Sequence, residues 1–270
     1  MLRKGRLNFT TINEDVVTKI AWVSDKTRRQ RLNREKWALN IAKNQGLLVP
    51  VVVDYGHKII NGKKVEVLIT RRIFGKELSF IPNTTNIKAM QAIGKQLSNL
   101  KPLVGAGFGW PGHKNLTGEF KTWKSFLLFF TKKCGKKLID YGIISNELLN
   151  TFCKKIQEFN FEIAEPFLIH RDIKPANILR TNKGVYLIDW ENALLGDSLF
   201  DLAQFEANYG RKSLWKALAK GLNLNYCQKK YVFYEIIAII GIIDFCYKQK
   251  INFNEKQSRL DTLFNKLNII

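Results

Sequence analysis

Residues 167–197 read FLIHRDIKPANILRTNKGVYLIDWENALLGD, and no other stretch restricts the fold of this chain as strongly. Three apolar residues, Phe167, Leu168 and Ile169, run into a polar loop carrying Asp172, Lys174, Pro175 and Asn177. A second apolar run, Val185, Tyr186, Leu187 and Ile188, stops at Asp189. β-rich runs separated by Asp, Pro, Asn and Gly read as strands and loops, so a short strand pair is expected around Ile178-Leu179 and residues 186–188. Asp172 then lies on a loop, Asn177 follows it by five residues behind Pro175, and Asp189 closes a strand where its carboxylate faces a cleft. Polar residues that merely cap turns around a core strand do not require this order.

That order suits the transfer of a γ-phosphoryl group, which asks a protein mainly for positioning and charge neutralisation. It needs a carboxylate beside the acceptor hydroxyl, oxygen ligands for Mg²⁺ and a cation on the nucleotide phosphates. Asp172 supplies the first. Asn177 and Asp189 supply hard oxygens for a metal that otherwise keeps its waters.

The rest of the chain divides near Phe74-Gly75. Before it, residues 7–12 alternate as a strand, Asn13-Glu14-Asp15 turns, and residues 16–22 form a second β-rich run. Ser24 and Asp25 are placed to cap a long helix that runs to about Gln45 and stops at Gly46. Residues 47–55, broken by Pro50, and 65–70, preceded by the Asn61-Gly62 turn, are further strands. After Gly75 helical periodicity dominates, over residues 85–100, 123–135, 145–165, 198–208 and most of 214–270.

Composition bears on partners and location. Lys and Arg number 44 against 23 Asp and Glu, a net charge of +21 that favours anionic partners. The basic residues are scattered, which compositional bias toward Lys, Asn and Ile also produces; the densest cluster is Arg28, Arg29, Arg31 and Arg34. Weak association with acidic surfaces is expected, and no specific nucleic-acid partner. Cys134, Cys153, Cys227 and Cys246 show no CxxC spacing and read as free core thiols of a reducing compartment. The first residues, Met1-Leu2-Arg3-Lys4-Gly5-Arg6, lack the apolar stretch of a signal peptide. Residues 232–247 are apolar but interrupted by Glu235 and Asp244, which reads as a buried helix rather than a membrane span. A cytoplasmic protein is expected.

His170-Arg171-Asp172-Ile173-Lys174-Pro175-Ala176-Asn177-Ile178-Leu179 resembles the catalytic loop shared by protein kinases and aminoglycoside phosphotransferases. Leu187-Ile188-Asp189-Trp190-Glu191, followed by Gly196-Asp197-Ser198-Leu199-Phe200-Asp201-Leu202-Ala203, resembles the phosphotransferases specifically, a group that includes choline, thiamine and fructosamine kinases. The resemblance runs in order from Val16 to about Asn208. It implies an α+β, bilobal protein-kinase-like fold: an N-terminal nucleotide-binding lobe, residues 1–74, made of a small antiparallel sheet and one long helix, and a larger, mainly helical catalytic and substrate-binding lobe, residues 75–270. It implies ATP and Mg²⁺ as cofactors, with Lys19 on the nucleotide phosphates, Glu35 fixing Lys19 by an ion pair, and the backbone of Arg71 and Ile73 meeting adenine. Asp172 would be the catalytic carboxylate, Lys174 a cation on the γ-phosphate, and Asn177 and Asp189 the metal ligands. Two departures stand out. The phosphotransferases commonly carry Gly where this chain has Arg171 and His where it has Lys174. No GxGxxG precedes Val16; the phosphate-covering turn is built from residues 7–15 or is partly missing.

Only six residues separate Glu191 from Ser198, and no Ala-Pro-Glu-like stretch follows, so a small or sugar-like hydroxyl is a better acceptor than a polypeptide. The stretch from Ser198 through Glu206 resembles bacterial choline kinases, making choline or a similar amino alcohol the leading acceptor. A cationic head wants aromatic faces and a carboxylate; Trp190, Glu191, Glu206, Tyr209 and Trp215 are the candidates. Residues 107–112, with Trp123 beyond, resemble an acceptor-side loop. The net charge favours instead an anionic acceptor such as a lipopolysaccharide or glycan sugar, and disfavours polycationic aminoglycosides. A kinase-shaped basic module without catalysis is the reading from another class. Ser198 and Asp201 form a capping box with the catalytic loop as the supported element, Asp197 is either a turn residue or a substrate-side carboxylate, and His57 and His113 are surface residues.

Overall fold

The computed structural model describes residues 2–4, 9–22, 31–112 and 116–269. Five antiparallel strands open the chain: β1 Leu2–Lys4, β2 Phe9–Ile12, β3 Val16–Trp22, β4 Val52–Ile60 and β5 Lys63–Arg71, in the spatial order β1-β2-β3-β5-β4. The β4–β5 hairpin turns on Asn61 and Gly62, at φ 50° and 71°, the left-handed pair that a two-residue turn demands. Helix α1, Arg31–Asn44, buries Leu32, Glu35, Ala38, Leu39 and Ala42. Those positions recur every three or four residues and form one face, so Glu35 lies within an apolar stripe.

From Gly75 onward the chain leaves that sheet. Strand β6, Lys76–Glu77, pairs with β10, Ile178–Thr181, which also pairs with β11, Gly184–Leu187. A Cβ on Gly75 would lie 2.9 Å from the Arg180 carbonyl oxygen, which is why this crossing takes glycine. Strands β7 Phe108–Pro111, β8 Gly118–Phe120, β9 Phe167–Ile169 and β12 Leu194–Gly196 make a third sheet, ordered β8-β7-β12-β9. Around these strands pack α2 Thr84–Ser98, α3 Trp123–Asp140, α4 Asn146–Glu158, α5 Leu199–Tyr209, α6 Ser213–Leu222, α7 Gln228–Lys248 and α8 Asn254–Lys266. Helix α7 is apolar nearly all round, and Ile236, Ile237, Ile239, Ile240 and Ile243 are fully enclosed by its neighbours. No helix among the described residues is long and apolar enough to cross a membrane.

The α+β fold expected from the sequence, a small antiparallel sheet with a long helix followed by a mainly helical unit, is the one observed. Several boundaries differ. Residues 47–51 are not a strand, because Pro50 removes a ladder donor; β4 begins at Val52. The helix expected over residues 145–165 ends at Glu158, before the turn at 159–166. The helical stretch expected over most of 214–270 is made of three helices, α6, α7 and α8. The caps Ser24 and Asp25, part of the basic cluster (Arg28 and Arg29), Gly5 and His113 lie outside the described residues. All four cysteines are free, but Cys227 is exposed rather than in the core.

Candidate active site

The catalytic-loop segment is held in place from three directions. The His170 ring accepts the Asp172 backbone N–H on Nδ1 at 3.1 Å and lies 3.0 Å from the Ile188 carbonyl oxygen through Nε2, with Trp190 packed edge-on at 4.6 Å. Both contacts require a neutral ring protonated on Nε2, and burial lowers the His170 pKa accordingly. Buried Asp201, on α5, accepts the backbone N–H groups of His170 at 2.9 Å and Arg171 at 2.6 Å. Ile188 N–H donates to the Asn177 carbonyl at 2.9 Å, which joins the two chain segments carrying Asn177 and Asp189. Arg171 and Asp189 both adopt positive φ, 63° and 67°. For a residue with a Cβ that conformation costs about 1 kcal/mol, sustained here by the surrounding hydrogen bonds.

Five of the side chains expected to act together converge on one cleft of about 1140 Å³, lined by Lys19, Glu35, Asp172, Asn177 and Asp189 among others. Lys19 Nζ lies 2.6 Å from Glu35 Oε1 and 2.8 Å from Asp189 Oδ1. Burial, the largest influence on Lys19, disfavours its charge, but Glu35 and Asp189 outweigh it and raise the pKa. Burial pushes Glu35 up to about 7, with Lys19 acting in the opposite direction. Asp189 feels burial most, yet the adjacent Lys19 holds its pKa below the ordinary carboxylate value. Lys174 Nζ sits 2.6 Å from Asp172 Oδ2, and burial raises the Asp172 pKa against that pairing.

The oxygen donors suit a hard divalent cation. Asn177 Nδ2 donates to the Asp172 carbonyl at 2.9 Å and to Asp172 Oδ2 at 3.2 Å, so Oδ1 is the amide atom left to face a metal. Asp189 contributes a carboxylate. No group of three or more His, Cys, Asp or Glu residues able to hold a metal occurs among the described residues, so phosphate oxygens and water would complete the shell.

Arg71, Arg72, Ile73 and Gly75 line the cleft at its other end. The turn at residues 13–15 lies at that same end, where Asp15 and Asn13 carbonyls accept from Arg72 N–H at 2.9 Å and Arg72 Nη1 at 3.0 Å. Residues 9–12 are an inner strand between β1 and β3, with Thr10 and Ile12 lining the cleft, so the described part of 7–15 is strand and hinge contact rather than one phosphate-covering turn; residues 7 and 8 lie outside the described residues.

Other expectations about single residues need correction. Ser198 is itself helical and makes no side-chain cap; Asp197 caps α5 instead, accepting Leu199 N–H at 3.0 Å. Asp197 also meets Tyr234 Oη at 2.8 Å and Lys230 Nζ at 2.6 Å, which makes it a buried structural carboxylate. Trp190 and Trp215 are core residues, and Glu206 is enclosed by Arg211, Arg259 and Tyr231. Glu191 and Tyr209 do line the cleft, with Arg31 Nη2 3.2 Å from Glu191 Oε1. Residues 107–112 do not line it; Trp110 packs on Phe126, and Trp123 is core. His57 is exposed on β4, as expected.

The sequence reading passed over Gln204, Asn208, Ile242 and Phe245, which wall the cleft beyond Asp172. The helical spacing from Asp201 to Gln204 and Asn208 was the available signal, since residues three and seven apart share a face.

Residues 160–235 match the model of the phosphotransferase enzyme family, called APH. The APH match covers both the catalytic loop and α5. Among solved structures, the whole chain resembles a thermostable mutant of aminoglycoside phosphotransferase APH(4)-Ia in its apo form, with TM-score 0.74, 17% identity, and coverage of 98% of this chain and 94% of that one. A ternary complex of that enzyme with AMP-PNP and hygromycin B gives TM-score 0.72 at 18% identity, covering 98% and 92%. ADP-bound APH(2'')-Ib gives 0.64 at 16% identity, covering 96% and 90%. The protein-kinase-like fold of the APH phosphotransferases is therefore the fold of this chain. Relatives by sequence include the protein LicA homolog of Mycoplasma capricolum subsp. capricolum, 23% identical over 138 residues, spanning 47% of this chain and 55% of that protein. The protein LicA homolog of Metamycoplasma hominis is 38% identical over 58 residues, 22% of this chain and 23% of that protein. The matched stretch thus spans about half the length of the first relative and under a quarter of the second.

Proposed function

We propose that this protein is an ATP-dependent phosphotransferase that moves the γ-phosphoryl group of MgATP onto a hydroxyl of a small molecule. The observation that carries this reading is the junction of Lys19 with both Glu35 and Asp189, in one cleft with Asp172 and Asn177. The family match over the catalytic loop and the likeness to structures with AMP-PNP and ADP bound support it. Residues 1–74 serve as the nucleotide-binding lobe and 75–270 as the catalytic and acceptor lobe, in the cytoplasm.

In this mechanism Lys19 grips the nucleotide phosphates and is kept in place by Glu35. The backbone of Arg71 and Ile73 meets adenine at the hinge end. Asn177 Oδ1 and Asp189 hold magnesium, which when bound neutralises charge on the phosphates. Asp172 orients the acceptor hydroxyl and takes its proton late, because a loose transition state needs little base strength. Lys174 steadies the Asp172 carboxylate and places a second cation beside the transferred group.

For the acceptor, the resemblance to bacterial choline kinases favours choline or a related amino alcohol, with Tyr209 as the aromatic face and Glu191 as the carboxylate. A glycan sugar hydroxyl is the second reading, favoured by the roominess of the cleft and by Arg171 beside Asp172. ATP consumption should be screened against choline, ethanolamine, thiamine, aminoglycosides and lipopolysaccharide core sugars. Acceptor-dependent ADP release is the expected result. No release with any acceptor, and no binding of MgATP, would return the chain to a non-catalytic module.

A further inference from the structure

Beyond Asp172 the cleft is walled by α5 and α7, and the polar atoms there are few. Helix α5 presents Gln204, whose Oε1 is buried with no hydrogen-bond partner. Arg171 is half-buried at the same wall, and its Nε is likewise buried and unpartnered. Among the described residues no carboxylate or carbonyl takes a hydrogen bond from the Arg171 guanidinium. It lies over the rings of Phe130, at 5.3 Å, and Phe200, at 5.9 Å. These rings hold the guanidinium in place, and the nearby carboxylates of Asp201 and Asp172 favour its charge without accepting a hydrogen bond from it. The part of the lining that α7 supplies, Ala238, Gly241, Ile242 and Phe245, is apolar. A guanidinium drawn out of water with its donors unfilled is costly, and an anionic group brought by a ligand would fill them. Arg171 also sits at φ 63°, where glycine would be easier.

We infer that the acceptor carries an anionic group, a carboxylate or phosphate, that pairs with Arg171 while its hydroxyl faces Asp172. This rests on the phosphotransferase reading but favours its second acceptor, a sugar hydroxyl, in an acidic form or as a hydroxy acid, over the choline that the resemblance alone suggests. The Arg171 fork suits two acceptor oxygens, and Gln204 supplies an amide for a neighbouring hydroxyl. A trimethylammonium group in the same place would meet a like charge and could fill none of its donors.

Matched acceptors differing only in charge test this: glucose against glucuronate, and glycerol against glycerate, with choline and ethanolamine alongside. Each is assayed for MgATP-dependent ADP release with the full chain, Arg171→Gly, Arg171→Lys and Lys183→Gln, the last replacing an exposed lysine as a control for the overall charge. Thermal unfolding checks that Arg171→Gly folds, as its φ allows. The carboxylated member of each pair should have the lower KM. Arg171→Gly should raise that KM about tenfold with kcat little changed, Arg171→Lys should fall between, and Lys183→Gln should match the parent. Calorimetry with inorganic sulfate in the presence of saturating MgADP reads the site without turnover; sulfate should bind the parent and lose affinity in Arg171→Gly.

Three results would overturn the inference. Choline or ethanolamine could show a lower KM than every carboxylate. Arg171→Gly could lower kcat alike for all acceptors, making Arg171 a loop-positioning residue. Sulfate could compete with MgADP, assigning the anion to the nucleotide itself. If no acceptor is turned over and MgATP does not bind, the phosphotransferase reading fails, while sulfate binding still decides whether Arg171 holds an anion.

Discussion

Asp201 and Arg171 lie thirty residues apart, yet the Asp201 carboxylate accepts the Arg171 backbone N–H at 2.6 Å. Its other oxygen accepts from His170 at 2.9 Å, so one buried side chain on α5 fixes the turn that aims Asp172. Asparagine in its place keeps one acceptor and turns an N–H₂ toward the second donor. Asp201→Asn should therefore destabilise the protein by about 2 kcal/mol and lower kcat more than it alters nucleotide affinity. Chemical denaturation with parallel kinetics measures both; unchanged kcat would detach α5 from the catalytic loop.

The Lys19–Glu35 pair predicts a non-additive mutant series. Glu35 is enclosed in the apolar stripe of α1, so Lys19→Met leaves its carboxylate without a counter-ion, costing about 3 kcal/mol. Glu35→Gln added to Lys19→Met should recover much of that stability and none of the ATP affinity. A double-mutant cycle on unfolding midpoint and nucleotide Kd separates the two effects. Restoration of ATP binding in the double variant would remove Lys19 from the phosphates.

Asp172 and Asp189 should fail in different ways. Asp172→Asn is expected to bind MgATP nearly normally while turnover falls by about a hundredfold or more. Asp189→Ala should instead weaken nucleotide binding and flatten its dependence on magnesium concentration. Titrating nucleotide with and without magnesium tells them apart, and equal magnesium dependence in Asp189→Ala and parent counts against the metal assignment.

Acidification should act through His170. Burial lowers its pKa below the ordinary 6.5, and the folded chain needs the neutral ring. As pH falls below about 6.5 the unfolded chain takes up this proton first, so stability is lost toward lower pH. His170→Gln should be less stable at pH 8 but should lose less between pH 7 and pH 5, read from thermal unfolding across that range. Parallel curves for the two proteins would show that His170 does not set the slope.

The sequence alone specified the order of the catalytic side chains and the class of fold. The Asp172, Lys174, Pro175, Asn177 spacing and the strand ending at Asp189 are local features, set by turn chemistry and β-propensity over some twenty residues. Glu35 is reached only through the family resemblance, and its place inside the apolar stripe of α1 is shown by the structure. Only tertiary packing decided that Asp197 caps α5 while Ser198 does not, that Trp190, Glu206 and Trp215 are withdrawn into the core, and that residues 107–112 stay away from the cleft. The same packing left Arg171 and Gln204 with buried, unpartnered atoms at the acceptor wall. Whether a polar side chain meets a partner, a core or a cleft depends on segments distant in sequence, such as α5 and α7 across the catalytic loop. Local periodicity carries no information about those distances.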